Sequence, residues 1–135
     1  MAMANPQLEE AEEQARRHRV FEERVASVAG VRNAADAALV GLTAEALDEG
    51  FWHGWRLHSP AQWVMWRAGV TRTTAARVVA LARRAGELPV TMAAFTEGRL
   101  SMDQAATVAR YTPARFDAVV CELAVSATVA QIVKA

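Results

Sequence analysis

The places where this chain can break a helix are few, and they punctuate it at intervals that suit short helices. There are four prolines and seven glycines in 135 residues. Three prolines stand where a helix can begin. Ser59-Pro60 offers an N-cap serine with proline in the first turn, Leu88-Pro89 opens the stretch VTMAAFTE, and Thr112-Pro113 precedes ARFDAVVCELAV. Gly50, Gly69 and Gly98 stand where an apolar pattern stops, as helix-ending glycines do. Thr71 and Ser101 are placed to cap further helices. Between these marks the apolar residues recur at helical spacing, and no stretch alternates as a strand would. The expected fold is all-α, with about six to eight helices and a helix-turn-helix-like hairpin.

The first fifty residues read as two helices. Leu8, Ala11, Ala15, Phe21, Val25 and Val28 make a thin stripe within a charged segment, preceded by MAMANP, which is expected to fray. Gly30 is expected to interrupt it. Val31, Ala35, Ala38, Leu39, Leu42, Ala46 and Leu47 then form a better apolar face up to Gly50. This divides the chain into a charged arm, residues 1–30, and a helical domain, residues 31–135. The final stretch SATVAQIVKA starts another helix and stops, so the domain is expected to be cut short at its C-terminus. The arm stripe is too thin for a stable lone helix. It is expected to pack on residues 31–49 or on a second chain, which makes a homodimer through the N-terminal helices a candidate.

The charge is zero overall but unevenly placed. Residues 1–50 carry ten acids and five arginines, whereas residues 51–135 carry five acids, nine arginines and Lys134. An acidic solvated arm and a basic working half follow from that asymmetry. Cys121 is the single cysteine, so no internal disulfide forms and a reducing cytoplasm is the expected compartment. The start is acidic and lacks the apolar core of a signal peptide, and no apolar run approaches the ~20 residues of a membrane span.

The segment WRAGVTRTTAARVVALARR, residues 66–84, holds five arginines and no acid. At ~100° per residue, Ala75, Val78, Val79, Leu81, Ala82 and Ala85 share one arc, and Arg72, Thr73, Arg77, Arg83 and Arg84 share the other. A short helix, a glycine turn at Gly69 and a capped basic helix make up the helix-turn-helix pattern, with Val70 filling the gap between the helices. The expected DNA-binding residues are Arg67, Arg72, Thr73, Thr74, Arg77, Arg83 and Arg84, on duplex DNA. Arg99 and Arg110 lie in later helices and are expected to matter less. The alternative is a protein-interaction or dimerisation hairpin whose basic face is merely solvated.

Taken in order, Ser59, Trp63, Trp66, Arg67, Gly69, the V-A-L-A-R run at 79–83, Leu88-Pro89, Gly98-Arg99-Leu100-Ser101, Gln104-Ala105 and TVAQIVKA resemble the 13E12-repeat family of actinobacteria. That family is also called domain of unknown function 222, and the likeness covers roughly residues 31–135. It implies a domain that precedes an HNH endonuclease domain, with no such nuclease within these residues. The order G-V-T, helix, L-P, G-R-L-S is also similar to the helix-turn-helix core of ParB-type partition proteins, a likeness of pattern alone.

Other constellations carry less. His53 and His58 lack further ligands at a workable spacing, His18 lies in the charged arm, and neither a metal, a cofactor nor a catalytic set is expected. Trp52, Trp55, Trp63 and Trp66 could stack on bases, but packing in the core is the better reading, with Trp63 and Trp66 one turn apart. Glu9, Glu10, Glu12 and Glu13 followed by Arg16, Arg17 and Arg19 read as a solvated, ion-paired helix. Cys121, among Val119, Val120 and Leu123, reads as an inert buried thiol.

Overall fold

A computed structural model describes residues 5–54 and 56–134. Among the described residues the chain forms seven α-helices and two 3-10 turns, with no strand, so the fold is all-α. The helices are α1 (Pro6–Glu49), α2 (Pro60–Ala68), α3 (Arg72–Arg84), α4 (Pro89–Thr96), α5 (Met102–Tyr111), α6 (Asp117–Ala124) and α7 (Val129–Lys134).

The largest departure from the sequence reading is α1. It is one helix of 44 residues that passes through Gly30 without a break. A glycine inside a helix costs only ~1 kcal/mol relative to alanine, too little to end one that is anchored elsewhere. Gly30 serves close approach instead. It lies against Gly98, which has φ +81 and ends the turn after α4; a Cβ on Gly98 would fall 2.5 Å from the Gly30 carbonyl oxygen. Asn33, one turn further on, donates its side-chain amide to the Gly98 carbonyl at 3.2 Å. The start does not fray at Pro6 either: Asn5 accepts hydrogen bonds from the Gln7 and Leu8 amides, with Pro6 in the first turn. Residues 1–4 lie outside the described residues.

Because α1 is continuous, its first part cannot fold back on residues 31–49. All of residues 6–29 are exposed, a projecting helix of about 36 Å at ~1.5 Å per residue. The second part buries Ala37, Val40, Thr43 and Ala46 against α3 and α4. One 18-residue window of α1, with mean hydropathy 1.2, is long and apolar enough by length and composition to cross a membrane. Polar and charged residues interrupt that window, so no unbroken apolar run marks it in the sequence.

Helix α3 is the centre of the domain and packs against α1, α2 and α5. Its inward arc, Ala75, Val78, Val79, Leu81 and Ala82, is buried as the periodicity predicts. Phe95 of α4, Leu88, Leu100, Val64 of α2 and Val108 of α5 are fully buried with it. Two polar side chains tie the later helices together. Asp117 is buried and accepts the Val90 amide at 2.7 Å and the Thr91 amide at 3.0 Å, so it caps the start of α4 from a distance in sequence. Gln104 completes a capping box with Ser101 and also donates to the Ala124 and Ala127 carbonyls. The helix expected from Ala114 begins at Asp117, after a 3-10 turn at Ala114–Phe116.

The tryptophans are only partly in the core. Trp63 is half-buried and packs against it, but Trp66 is 66% exposed under the Arg67 guanidinium, 4.4 Å from its ring centroid. α2 has only nine residues and lies on the surface, so its inward arc is too narrow to hold both. Trp52 stacks on His53, and Trp55 lies outside the described residues.

Candidate nucleic-acid interface

The hairpin at 60–84 is built locally. Ser59 accepts a hydrogen bond from the Gln62 amide and starts α2; Gly69, with φ +66, ends it. Val70 is half-buried in the core between the helices, and Thr71 caps α3 by accepting the Thr74 amide at 3.3 Å. Only Gly69, Val70 and Thr71 separate α2 from α3. A left-handed residue followed directly by a new cap forces the chain to reverse within those residues, so α3 follows α2 as a tightly turned second helix.

The outer face of α3 borders a groove of about 1240 Å³, whose opposite wall is α5 with α7 beyond it. Arg72, Arg77, Arg83, Arg84 and Arg110 line it, with Asp103 as its one acid among the described residues. The floor is apolar and in part small, formed by Ala76, Val79, Ala80 and Ala106.

The seven residues expected to bind DNA divide sharply. Arg72, Thr73 and Arg83 are exposed on the groove, and neither arginine has an ion-pair partner among the described residues. Arg67 is exposed but sits on Trp66 at the end of α2 and does not line the groove. Thr74 is half-buried, with its amide and hydroxyl both engaged by Thr71. Arg77 is half-exposed and pairs with Asp103 at 2.8 Å.

Arg84 overturns the expectation of an outward, free guanidinium. Its side chain is 25% exposed. It donates to the Ala109 carbonyl and to the Thr112 carbonyl, the latter at 2.7 Å, and pairs with Glu87 at 3.3 Å. These are the orphan carbonyls at the end of α5, so Arg84 is a cross-helix C-cap. Its position at the buried edge of the outer arc is what brings it there.

The structure also promotes a residue that the sequence reading set aside. Arg110 is exposed at the end of α5 and faces the same groove as Arg72 and Arg83. Its register was visible: Asp103, Ala106, Thr107 and Arg110 stand at i, i+3, i+4 and i+7 on one face of α5. Which helix that face meets was not visible. Arg99 pairs with Glu97 at 2.9 Å and does not line the groove.

Among the described residues no three His, Cys, Asp or Glu side chains converge as metal ligands would. Burial raises the Cys121 thiol pKa above its ordinary value, which keeps the sulfur protonated. No curated protein and no solved structure matches the chain. Residues 6–135 match the family described as domain of unknown function (DUF222), and the chain belongs to that family.

Proposed function

We propose that this member of the DUF222 family is a DNA-binding module, the targeting part of an HNH-endonuclease-type protein, and that it seats duplex DNA on the outer face of α3. The observation that carries the reading is the pair Arg72 and Arg83. Both are free of acids, both point to one groove, and Ala76 and Ala80 lie between them. They stand eleven positions apart on the helix, about 16 Å, which suits two cations that straddle a major groove ~12 Å wide. The small alanines let the backbone of α3 come near the duplex. The short turn through Gly69 makes α2 and α3 a helix-turn-helix. Arg110 adds a third cation from the far wall.

On this reading the module cleaves nothing by itself, and purified protein with magnesium, manganese or zinc should leave supercoiled plasmid intact. Its setting is the reducing cytoplasm, where DNA is found and where a lone thiol stays reduced.

A second reading is favoured by one feature. Tyr111, Val129 and Val133 are exposed along the same groove, so an acidic amphipathic helix of another protein also suits it. Salt separates the two, because phosphate binding releases counterions and apolar docking does not. Anisotropy with labelled duplex and single-stranded DNA over a salt series is the test. Arg72→Ala with Arg83→Ala should weaken duplex binding and make the slope of log affinity against log salt shallower by about two, since each phosphate contact contributes ~0.9. Absence of duplex affinity at moderate salt overturns the DNA reading.

A further inference from the structure

The projecting part of α1 has a stripe with nothing on it. Leu8, Ala11, Ala15, His18, Phe21, Val25 and Val28 follow one another at steps of three and four. All are exposed, Phe21 by 56% and Val28 by 71%. The mean step is below 3.6, so the stripe drifts around the helix in the sense that a left-handed superhelix follows. Where it meets the domain it opens on a second groove, about 1110 Å³, lined by Phe21, Arg24, Val25, Val28 and Arg32 on one side and by the first turns of α3 and α5 on the other.

We infer that two copies of this chain pair through this arm, antiparallel, with the first turn of each α1 reaching the groove beside the other's Val28. The charges select that arrangement. With Leu8 opposite the partner's Val25, the small Ala11 meets the partner's Phe21 and Ala15 meets His18. Glu12 then lies beside the partner's Arg19 on one flank of the seam, and Glu10 beside the partner's Arg24 on the other. Twofold symmetry repeats both pairs. None of these four side chains has an ion-pair partner within its own chain among the described residues. In a parallel, in-register pair each flank faces the opposite flank of the partner, so Glu12 and Arg19, which share a flank, cannot meet. The overlap, residues 8–25, spans about 26 Å, a short seam of the kind that gives a weak, concentration-dependent dimer. The two Gly30 residues then stand about 40 Å apart along the arms, so the domains lie at opposite ends.

The inference is independent of what the α3 groove binds. Sedimentation of the full chain from low to high micromolar concentration should show the mass double. Phe21→Glu should hold it at the monomer mass with unchanged melting temperature. Glu12→Arg alone should weaken the dimer several-fold, and Glu12→Arg with Arg19→Glu should restore it. Oxidation of Leu8→Cys with Val25→Cys should give a covalent dimer, whereas Leu8→Cys alone should not; the native Cys121 is buried and serves as background. A monomer at every concentration, a cross-link through Leu8→Cys alone, or failure of the double reversal to restore pairing each overturns the antiparallel dimer.

Discussion

The two halves of α1 share one backbone and one helix, yet they live in different solvents. Residues 6–29 are exposed throughout, and residues 31–49 bury Ala37, Val40, Thr43 and Ala46. Both halves carry apolar residues at helical spacing, thinner in the first half. What separates them is that α3, α4 and Gly98 pack against the second half, whereas among the described residues nothing buries the first. A helical stripe therefore states where a partner can sit, not whether this chain supplies one.

The sharpest way to break that contrast uses two phenylalanines. Phe95 is fully buried on α4, which packs against α1 and α6, and Phe95→Ala should destabilise by about 3–5 kcal/mol in chemical denaturation. Phe21→Ala on the arm should change the monomer's stability by less than about 0.5 kcal/mol. A cost above ~2 kcal/mol at Phe21 in the monomer means that the arm packs on its own domain.

The glycine pair that joins the halves comes next. Gly98→Ala places a Cβ on the Gly30 carbonyl and forces a left-handed residue, a loss of about 2–4 kcal/mol. Gly30→Ala finds its nearest neighbour at 3.9 Å and gains helix propensity, so stability should rise by up to ~1 kcal/mol. Thermal unfolding of both variants checks the asymmetry. Equal losses mean that the contact is tight from both sides.

Two neighbouring arginines sharpen the same lesson within α3. Arg84→Ala leaves the Ala109 and Thr112 carbonyls without their donor and should cost about 1–2 kcal/mol. Arg83→Ala should stay within about 0.5 kcal/mol and affect binding instead. If Arg83 proves the costlier in urea melts, the assignment of clamp and free cation is reversed.

The smallest effect concerns acid. The hydrogen bond and charge of Arg16 hold the Glu13 carboxyl below its ordinary pKa. A lowered folded value means that this contribution to arm helicity is present above the ordinary carboxylate range. It is lost as pH falls through the lowered value. Far-UV circular dichroism should show a slight helix loss on mild acidification, reversed in sense or absent in Arg16→Ala.

Much of the fold was legible because its signals are local. The stops at Gly50, Gly69 and Gly98 and the caps at Ser59, Thr71 and Ser101 all stand as the sequence predicts, and each acts within four residues of itself. The inward arc of α3 was legible for the same reason. Gly30 misled because its signal has two meanings, helix end and close approach, and only the position of Gly98, 68 residues away, tells them apart. Trp66 misled because one turn of spacing fixes a shared face but not how wide the neighbour on that face is.

The candidate interface was half legible. Periodicity alone set Arg72 and Arg83 outward. It set Arg84 outward too, and could not foresee carbonyls from residues 109 and 112 closing on it. By itself the sequence determined the stops at Gly50, Gly69 and Gly98, the caps at Ser59, Thr71 and Ser101 and the inward arc of α3, because caps and periodicity act through neighbours in the chain. On α1 the expected face failed, since Val31, Ala35, Ala38 and Leu42 stand exposed while Ala37, Val40 and Thr43 are buried. The tertiary structure decided which arginines are clamped and which are free, that Arg110 belongs to the α3 groove, and that half of α1 stands alone. Those outcomes depend on which distant carbonyls and carboxylates come within hydrogen-bond reach, and only the packing of helices against one another brings them there.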